Sequence, residues 1–380
     1  MTQPNDLLPE GLEDRLPQEA ARITAAMRAC LDVLDAHGYD RVRPPLLEFE
    51  ASLAGRMAGV AAGPNGGLDS RAMFRFVDPA SLRTLALRSD ITPQIGRIAS
   101  TSLRDAARPL RLAYCGDTAL IRASQLDPAR ERLQLGAELI GADSVAAASE
   151  AVMLAVEALG AAGLTGISVD FTLPDLVDTL AAEALPLAPD RREAVRRELD
   201  TKDAGGLKAA GGAAYLPLLY ATGPFAEALP ALRAVDAGGA LKSRLDALEQ
   251  IAASIGDTAR ITLDPTERHG FEYQSWFGFT LYADGLRRAA GRGGTYRIAG
   301  SDEPATGFTL YIDRLAEAAP DPEAARLIWL PLGHDRVAAA ALRAQGWRTR
   351  AQLAEGEDGF ALGCTHVLKA GGPAELEPQA

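Results

Sequence analysis

Gln134 and Glu138 are polar side chains of the kind that can hold a small ligand. They stand four apart, and even spacing along a strand puts both on one face. Taken alone, the pair is weak evidence and reads better as solvated charge. Asp90, in LRSDITP, reads from its neighbours as an N-cap for a helix beginning near Thr92. The run GRGGTY at 291–296 looks at first like a phosphate loop. It neither follows a strand nor opens a helix, so the dinucleotide fingerprint is rejected in favour of a tight turn between strands. His37, His269, His334 and His366 are isolated, so no metal centre is expected. Cys30, Cys115 and Cys364 are far apart and odd in number. They fit neither a disulfide framework nor a CxxC site, and read as small core residues in a reducing compartment. No catalytic triad, zincin motif or cysteine nucleophile is present, nor the acidic-pair-plus-glycine loop of some phosphoribosyltransferases. No cofactor is expected, and no transferase chemistry on this chain.

Positioning such residues takes a sizeable core, and 380 residues, 47% of them hydrophobic and 24% charged, can bury one large core or two to three smaller ones. No apolar run approaches the ~20 residues of a membrane span, and MTQPNDLLPEG lacks a basic n-region and an apolar h-region. The cytoplasm is therefore the default expectation, with no membrane partner. The formal net charge is −12 and the pI about 5.0. Only four of the 39 basic residues are Lys, and no basic run is interleaved with aromatics. Nucleic-acid binding draws on phosphate neutralisation, so tRNA is not an expected partner.

Helical spacing of Ile23, Met27, Cys30, Leu31 and Leu34 predicts a helix over Gln18–Ala36, stopped by Gly38. YDRVRPPLLE reads as a short strand broken by Pro44 and Pro45. Gly55–Gly67 is glycine-rich and expected to be mobile. MFRFVD and TLALRSD read as a hairpin, ITPQIGRIAS as a helix, and Arg111–Gly141 as a longer hairpin. Residues 186–260 are almost wholly helical in pattern, with Gly-rich breaks at 204–206 and 210–212, and read as an insertion. Strands resume at ARITLDP, FEYQSWFGFTLYAD and GTYRIAG. This order implies an α+β fold, an antiparallel sheet flanked by helices, over 1–320 with the insertion at 186–260. Residues 321–380 form a short C-terminal α/β segment whose end, GGPAELEPQA, is expected to be disordered.

Most of residues 8–318 resembles the class II aminoacyl-tRNA synthetases, in the histidyl version. PLLEFEASL resembles motif 1, whose proline sits at the dimer interface. Arg111–Gly141 is similar to motif 2. Aligned on Gly116 and on Gly136 to Gly141, Leu120 stands where the family has the arginine that clamps substrate carboxylate and α-phosphate. Arg122 then falls at the adenine-holding glutamate. A register with Arg122 as the motif arginine stays open. Gln134 and Glu138 match family contacts to the amino group of bound histidine. LALRSDITP resembles LRPEGT, with Asp90 and Thr92 as the acid and hydroxyl that fix the ammonium; a carboxylate suits that task because charge-assisted hydrogen bonds are short and strong. Tyr273 and Tyr296 keep the tyrosines of the two histidine-specific signatures, while Gln274 replaces a second tyrosine. Thr295 and Arg297 replace an Arg and an Asp. The essential arginine would fall at His269, next to Arg268. GFTLYIDRLAE resembles motif 3: Arg314 matches the ATP-contacting arginine, and Tyr311 replaces a glycine beside it. Leu120, Arg122 and Tyr311 thus imply a lost ATP site. One preorganised charge partner is typically worth ~10²–10³ in rate.

A histidyl-like core with a lost ATP site, and a tail too short for an anticodon domain, resembles the family of synthetase-like regulatory subunits of ATP phosphoribosyltransferase. That resemblance implies a non-catalytic chain that forms a homodimer within a hetero-octamer. Its partner there is the short-form catalytic ATP phosphoribosyltransferase subunit, which makes phosphoribosyl-ATP, the first step of histidine biosynthesis. Histidine is the implied feedback effector, through Asp90, Thr92, Gln134, Glu138, Tyr273 and Tyr296. The alternatives are a working histidyl-tRNA synthetase and another synthetase-like protein that binds an amino acid.

Overall fold

A computed structural model describes residues 7–58, 73–121, 128–235, 237–268, 274–322 and 326–377. The chain divides into two compact units, Met1–Pro320 and Asp321–Ala380.

In the first unit, α1 (Pro17–Ala36) begins on a proline, whose missing N–H is an orphan at that position in any helix. It ends where Gly38 takes a positive φ of 75°. The proline-rich stretch separates β1 (Asp40–Arg41) from β2 (Leu47–Phe49), and the two strands join different sheets. Next, α2 (Glu50–Ala58) runs through Gly55, the start of the stretch expected to be mobile; the rest of that stretch beyond Ala58 lies outside the described residues. β3 (Arg75–Val77) and β4 (Thr84–Leu87) form the predicted hairpin and, with β2, a small three-stranded sheet. α3 (Thr92–Ser100) then leads into the long hairpin of β5 (Leu110–Ala119) and β6 (Glu131–Ile140).

α4 (Val145–Ala161) starts at Ser144, whose hydroxyl accepts from Ala147 N at 3.2 Å. β7 (Ser168–Thr172) and α5 (Leu176–Glu183) follow. The helical stretch comprises α6 (Pro189–Asp200), α7 (Ala204–Ala209), a 3₁₀ segment over Ala213–Tyr220, α8 (Phe225–Val235) and α9 (Lys242–Ile255). Gly205 and Gly206 were expected to break helix. Instead they open α7, because the Asp203 carboxylate accepts both their N–H groups at 2.9 Å. Within this stretch β8 (Gly223–Pro224) pairs with β9 (Arg260–Leu263), so the helices return to the main sheet. β10 (Gln274–Tyr282), β11 (Gly291–Arg297), β12 (Pro304–Tyr311) and α10 (Ile312–Ala318) complete the unit.

The main sheet has nine strands in the order β1-β5-β6-β12-β11-β10-β7-β9-β8. Alternation sorts its residues onto two faces. Leu135 and Ala137 of β6, Phe308 and Leu310 of β12, and Phe279 and Leu281 of β10 pack into one core with Cys30 and Leu34 of α1 and the apolar faces of α4 and α9. The opposite face carries Gln134, Gly136 and Glu138 opposite Tyr311, Thr309 and Gly307. Its far end is covered by α3, whose Ile95 and Ala99 pack with Leu112, Tyr114, Ile140 and Tyr296. What α3 leaves bare is a polar cleft.

The second unit contains β13 (Leu327–Leu330), α11 (Arg336–Ala344), β14 (Arg348–Ala351), β15 (His366–Lys369) and β16 (Gly372–Glu375). Its sheet has the order β14-β13-β15-β16, over a small core of Ile328, Leu330, Ala339 and Leu342. β16 corrects the expectation of a disordered end. A two-residue turn at Ala370–Gly371 brings Gly372 opposite Lys369 and closes a hairpin, so that Val367 pairs with Ala374.

Candidate functional site

The cleft is built from strand register. Glu138 lies opposite Gly307 of β12, which lies opposite Gly294 of β11, which lies opposite Gly278 of β10. Three glycines in a row leave a bare trough across the sheet, ending at the Glu138 carboxylate. A Cβ at Gly307 would overlap Glu138 Oε2, so only glycine lets the carboxylate lie there.

Glu138 is 1% exposed. Its Oε1 accepts from Thr92 Oγ1 at 3.0 Å and its Oε2 from Tyr296 OH at 2.8 Å. Thr92 is held in turn by Tyr114 OH at 3.2 Å, and Tyr114 OH lies 2.5 Å from Thr309 Oγ1. Gln134 Oε1 accepts from the backbone N–H of Ile91 at 3.1 Å, tying the hairpin to the start of α3. Asp90 Oδ1 accepts from Thr92 N at 2.9 Å, so its local role at the helix start and its place in the cleft coexist. Just before it, Arg88 anchors the loop through Asp117 O at 2.7 Å and Pro44 O at 3.0 Å.

The electrostatics follow from burial. Desolvation pushes the Glu138 carboxyl up to about 8; the Tyr296 and Thr92 hydroxyls pull it down, and Asp90 adds to the rise. Asp90 is likewise pushed up to about 6 by burial, against the bonds from Thr92 and Ile91. Arg292 of β11 lines the same cavity as Glu138. Burying a carboxylate is costly, and an incoming ammonium would offer it a charge-assisted hydrogen bond. The cavity between Thr92, Glu138, Gln274, Arg292, Tyr296 and Thr309 measures about 20 Å³, room for a single water.

Asp90, Thr92, Gln134, Glu138 and Tyr296 are therefore brought together, while Tyr273, Arg122 and His269 lie outside the described residues. Leu120 lies past the end of β5, its N–H donating to Arg130 O at 2.8 Å. Tyr311 shares the cleft face opposite Gln134 and is buried. The Arg314 and Arg132 guanidinium carbons lie 4.3 and 5.7 Å from its ring centroid. Arg314 also donates to Ala289 O at 2.9 Å. Sequence reasoning missed Tyr114 and Thr309. The available signal was Gly136, which faces Tyr114 and leaves room for its phenol.

Fold and cleft define a class II synthetase-like protein of the histidyl type, and residues 11–315 match the family model for histidyl-tRNA synthetase. A histidyl-tRNA synthetase from Nostoc sp. PCC 7120 shares the fold, with a TM-score of 0.76 at 14% identity over 96% of this chain and 91% of that one. Curated relatives narrow the family. The chain is 39% identical to an ATP phosphoribosyltransferase regulatory subunit of Rhodospirillum centenum, over 98% of this chain and 96% of the relative. It is 40% identical to another from Paramagnetospirillum magneticum, over 98% of each. A solved Bacillus halodurans structure, described as an ATP phosphoribosyltransferase regulatory subunit/histidyl-tRNA synthetase, has a TM-score of 0.79 at 26% identity, over 95% and 97% of the two chains. This chain belongs to the family of ATP phosphoribosyltransferase regulatory subunits.

Proposed function

We propose that this chain is the non-catalytic regulatory subunit of ATP phosphoribosyltransferase. It acts in the first step of histidine biosynthesis, with the chemistry carried by a separate short-form catalytic subunit. Full-length similarity to relatives of that name supports the role. The cleft binds free histidine as the feedback signal, and the chain forms homodimers within a hetero-octamer without binding tRNA. One observation carries the ligand reading: a buried acid, Glu138, in a polar cavity, accepting hydroxyl bonds from Thr92 and Tyr296. Its neighbour supports loss of nucleotide chemistry, because the Tyr311 ring already lies beside the Arg314 and Arg132 guanidiniums.

Histidine shifts the assembly between active and inhibited states by its difference in affinity for the two, typically ~1–3 kcal/mol. Mixing the chain with the catalytic subunit should switch on phosphoribosyl-ATP formation, and histidine should suppress it. ATP–pyrophosphate exchange with histidine should be absent. Exchange above background, or a catalytic subunit indifferent to this chain, sinks the proposal.

A further inference from the structure

The glycine trough is not empty. The side chain of Gln274 lies along it: a Cβ at Gly278 would run into Gln274 Oε1, and one at Gly294 would meet Gln274 Nε2 at 2.7 Å. The amide donates from Nε2 to Gly293 O at 2.6 Å. An irregularity between Gln274 and Gly278 in β10 sets this up. The strand spends four residues where β11 spends two, which returns Gln274 to the cleft face opposite Tyr296. The carboxylate end and the amide end together leave only the 20 Å³ cavity already described.

We infer that the Gln274 amide is an internal stand-in for the planar, N–H-bearing side chain of the ligand, and that the ligand must displace it to bind. This rests on the amino-acid reading of the cleft and deepens it. Three features carry it. The trough is flat because it is floored by glycine, which suits a planar group and offers no packing to a branched one. Its one engaged acceptor is a backbone carbonyl, Gly293 O, which an imidazole N–H can take over from the amide. The trough also runs from that carbonyl to Glu138, so one molecule can present its ammonium to the acid and its planar group to the carbonyl. With Gln274 in place there is room for a water-sized group but not for the planar one. The residue thereby sets both affinity and selectivity: a side chain unable to replace the hydrogen bond to Gly293 O cannot recover the cost of expelling the amide.

The test is calorimetric titration of the full-length chain, as wild type, Gln274→Ala and Gln274→Met, with histidine and with alanine as probes. Melting curves first establish that both variants are folded. Removing the amide removes the competitor, so the histidine Kd should fall roughly five- to tenfold in Gln274→Ala, the worth of about one hydrogen bond. Gln274→Met keeps the bulk without the donor and should fall in between. Alanine, which has no planar group, should gain nothing. Binding by Gln274→Ala with none by wild type supports the inference, the amide then blocking outright. If wild type binds histidine and Gln274→Ala binds equally or more weakly, the inference is overturned and the amino-acid reading survives. If no form binds histidine, the amino-acid reading falls and the inference with it.

Discussion

Glu138 concentrates the chemistry of the cleft in one carboxyl, and its protonation makes specific demands. With its folded pKa near 8 against an ordinary 4.5, the protonated form is the one the fold favours. Between those two values the folded state binds a proton that the unfolded state has released. Its contribution to stability is therefore fullest below about 4.5 and is lost as pH rises through about 8. Glu138→Gln should flatten the decline of Tm between pH 6 and pH 9, while weakening histidine binding at least a hundredfold. A variant that loses binding without that flattening would assign the slope to other groups. Ligand binding is also proton-coupled. On the proposed reading an ammonium needs the ionised acid, so histidine affinity should rise up to tenfold per pH unit from 6 towards 8 and fall again once the ligand's own ammonium loses its proton. Calorimetry in buffers of different ionisation enthalpy counts the proton released. At this scale much was legible: period-two spacing alone put Gln134 and Glu138 on one face. Tyr114, Thr309 and the lie of Gln274 were not, because only cross-strand register brings them to residues far off in sequence.

Among elements, the strands that carry the cleft and the helices that support it respond differently to substitution. Gly307→Ala would thrust a methyl group against both Glu138 and the carbonyl of Ala137. Backbone cannot yield as a side-chain tip can, so a loss of ~1–3 kcal/mol in denaturant unfolding is expected, together with loss of histidine binding. Ser144→Ala removes the N-cap of α4, on the opposite side of the sheet. It should cost about 1 kcal/mol and leave the histidine Kd unchanged. A matching loss of binding in that variant would mean that the sheet does not isolate the cleft from its supporting helices. Most elements could be read from apolar period and capping signals. Others could not. α2 continues through a glycine that propensity disfavours, α7 opens on two glycines because Asp203 caps them, and β16 exists because a two-residue turn supplies it with a partner. For α7 and β16, a cap or a turn decided what the glycines alone did not.

At the scale of the whole molecule, the small sheet of β2, β3 and β4 presents Leu47, Phe76 and Val77 to solvent at 38%, 41% and 61%, with Leu82 at 80% in the β3–β4 turn. Leu47 and Phe76 stand on one face of this sheet and Val77 on the other, and on the proposed homodimer the exposed apolar face would be covered by the second copy. That face lies where motif 1 resemblance implies a dimer seam. On the proposed homodimer, Leu47→Glu with Phe76→Glu should give monomer in light scattering; an unchanged mass would place the seam elsewhere. Among the described residues no helix is long and apolar enough to cross a membrane, and no cluster of side chains is arranged for a metal ion.

Tyr311 has a consequence for what such a subunit can report. In a synthetase, occupancy of the amino-acid pocket is entangled with a nucleotide held beside it. Here an aromatic ring of the chain itself lies against Arg314 and Arg132. On the reading proposed, the cleft answers to a single metabolite pool and is insulated from the cell's energy charge. The neighbouring enzyme consumes ATP, and its regulator can thus measure the end product without also measuring the fuel.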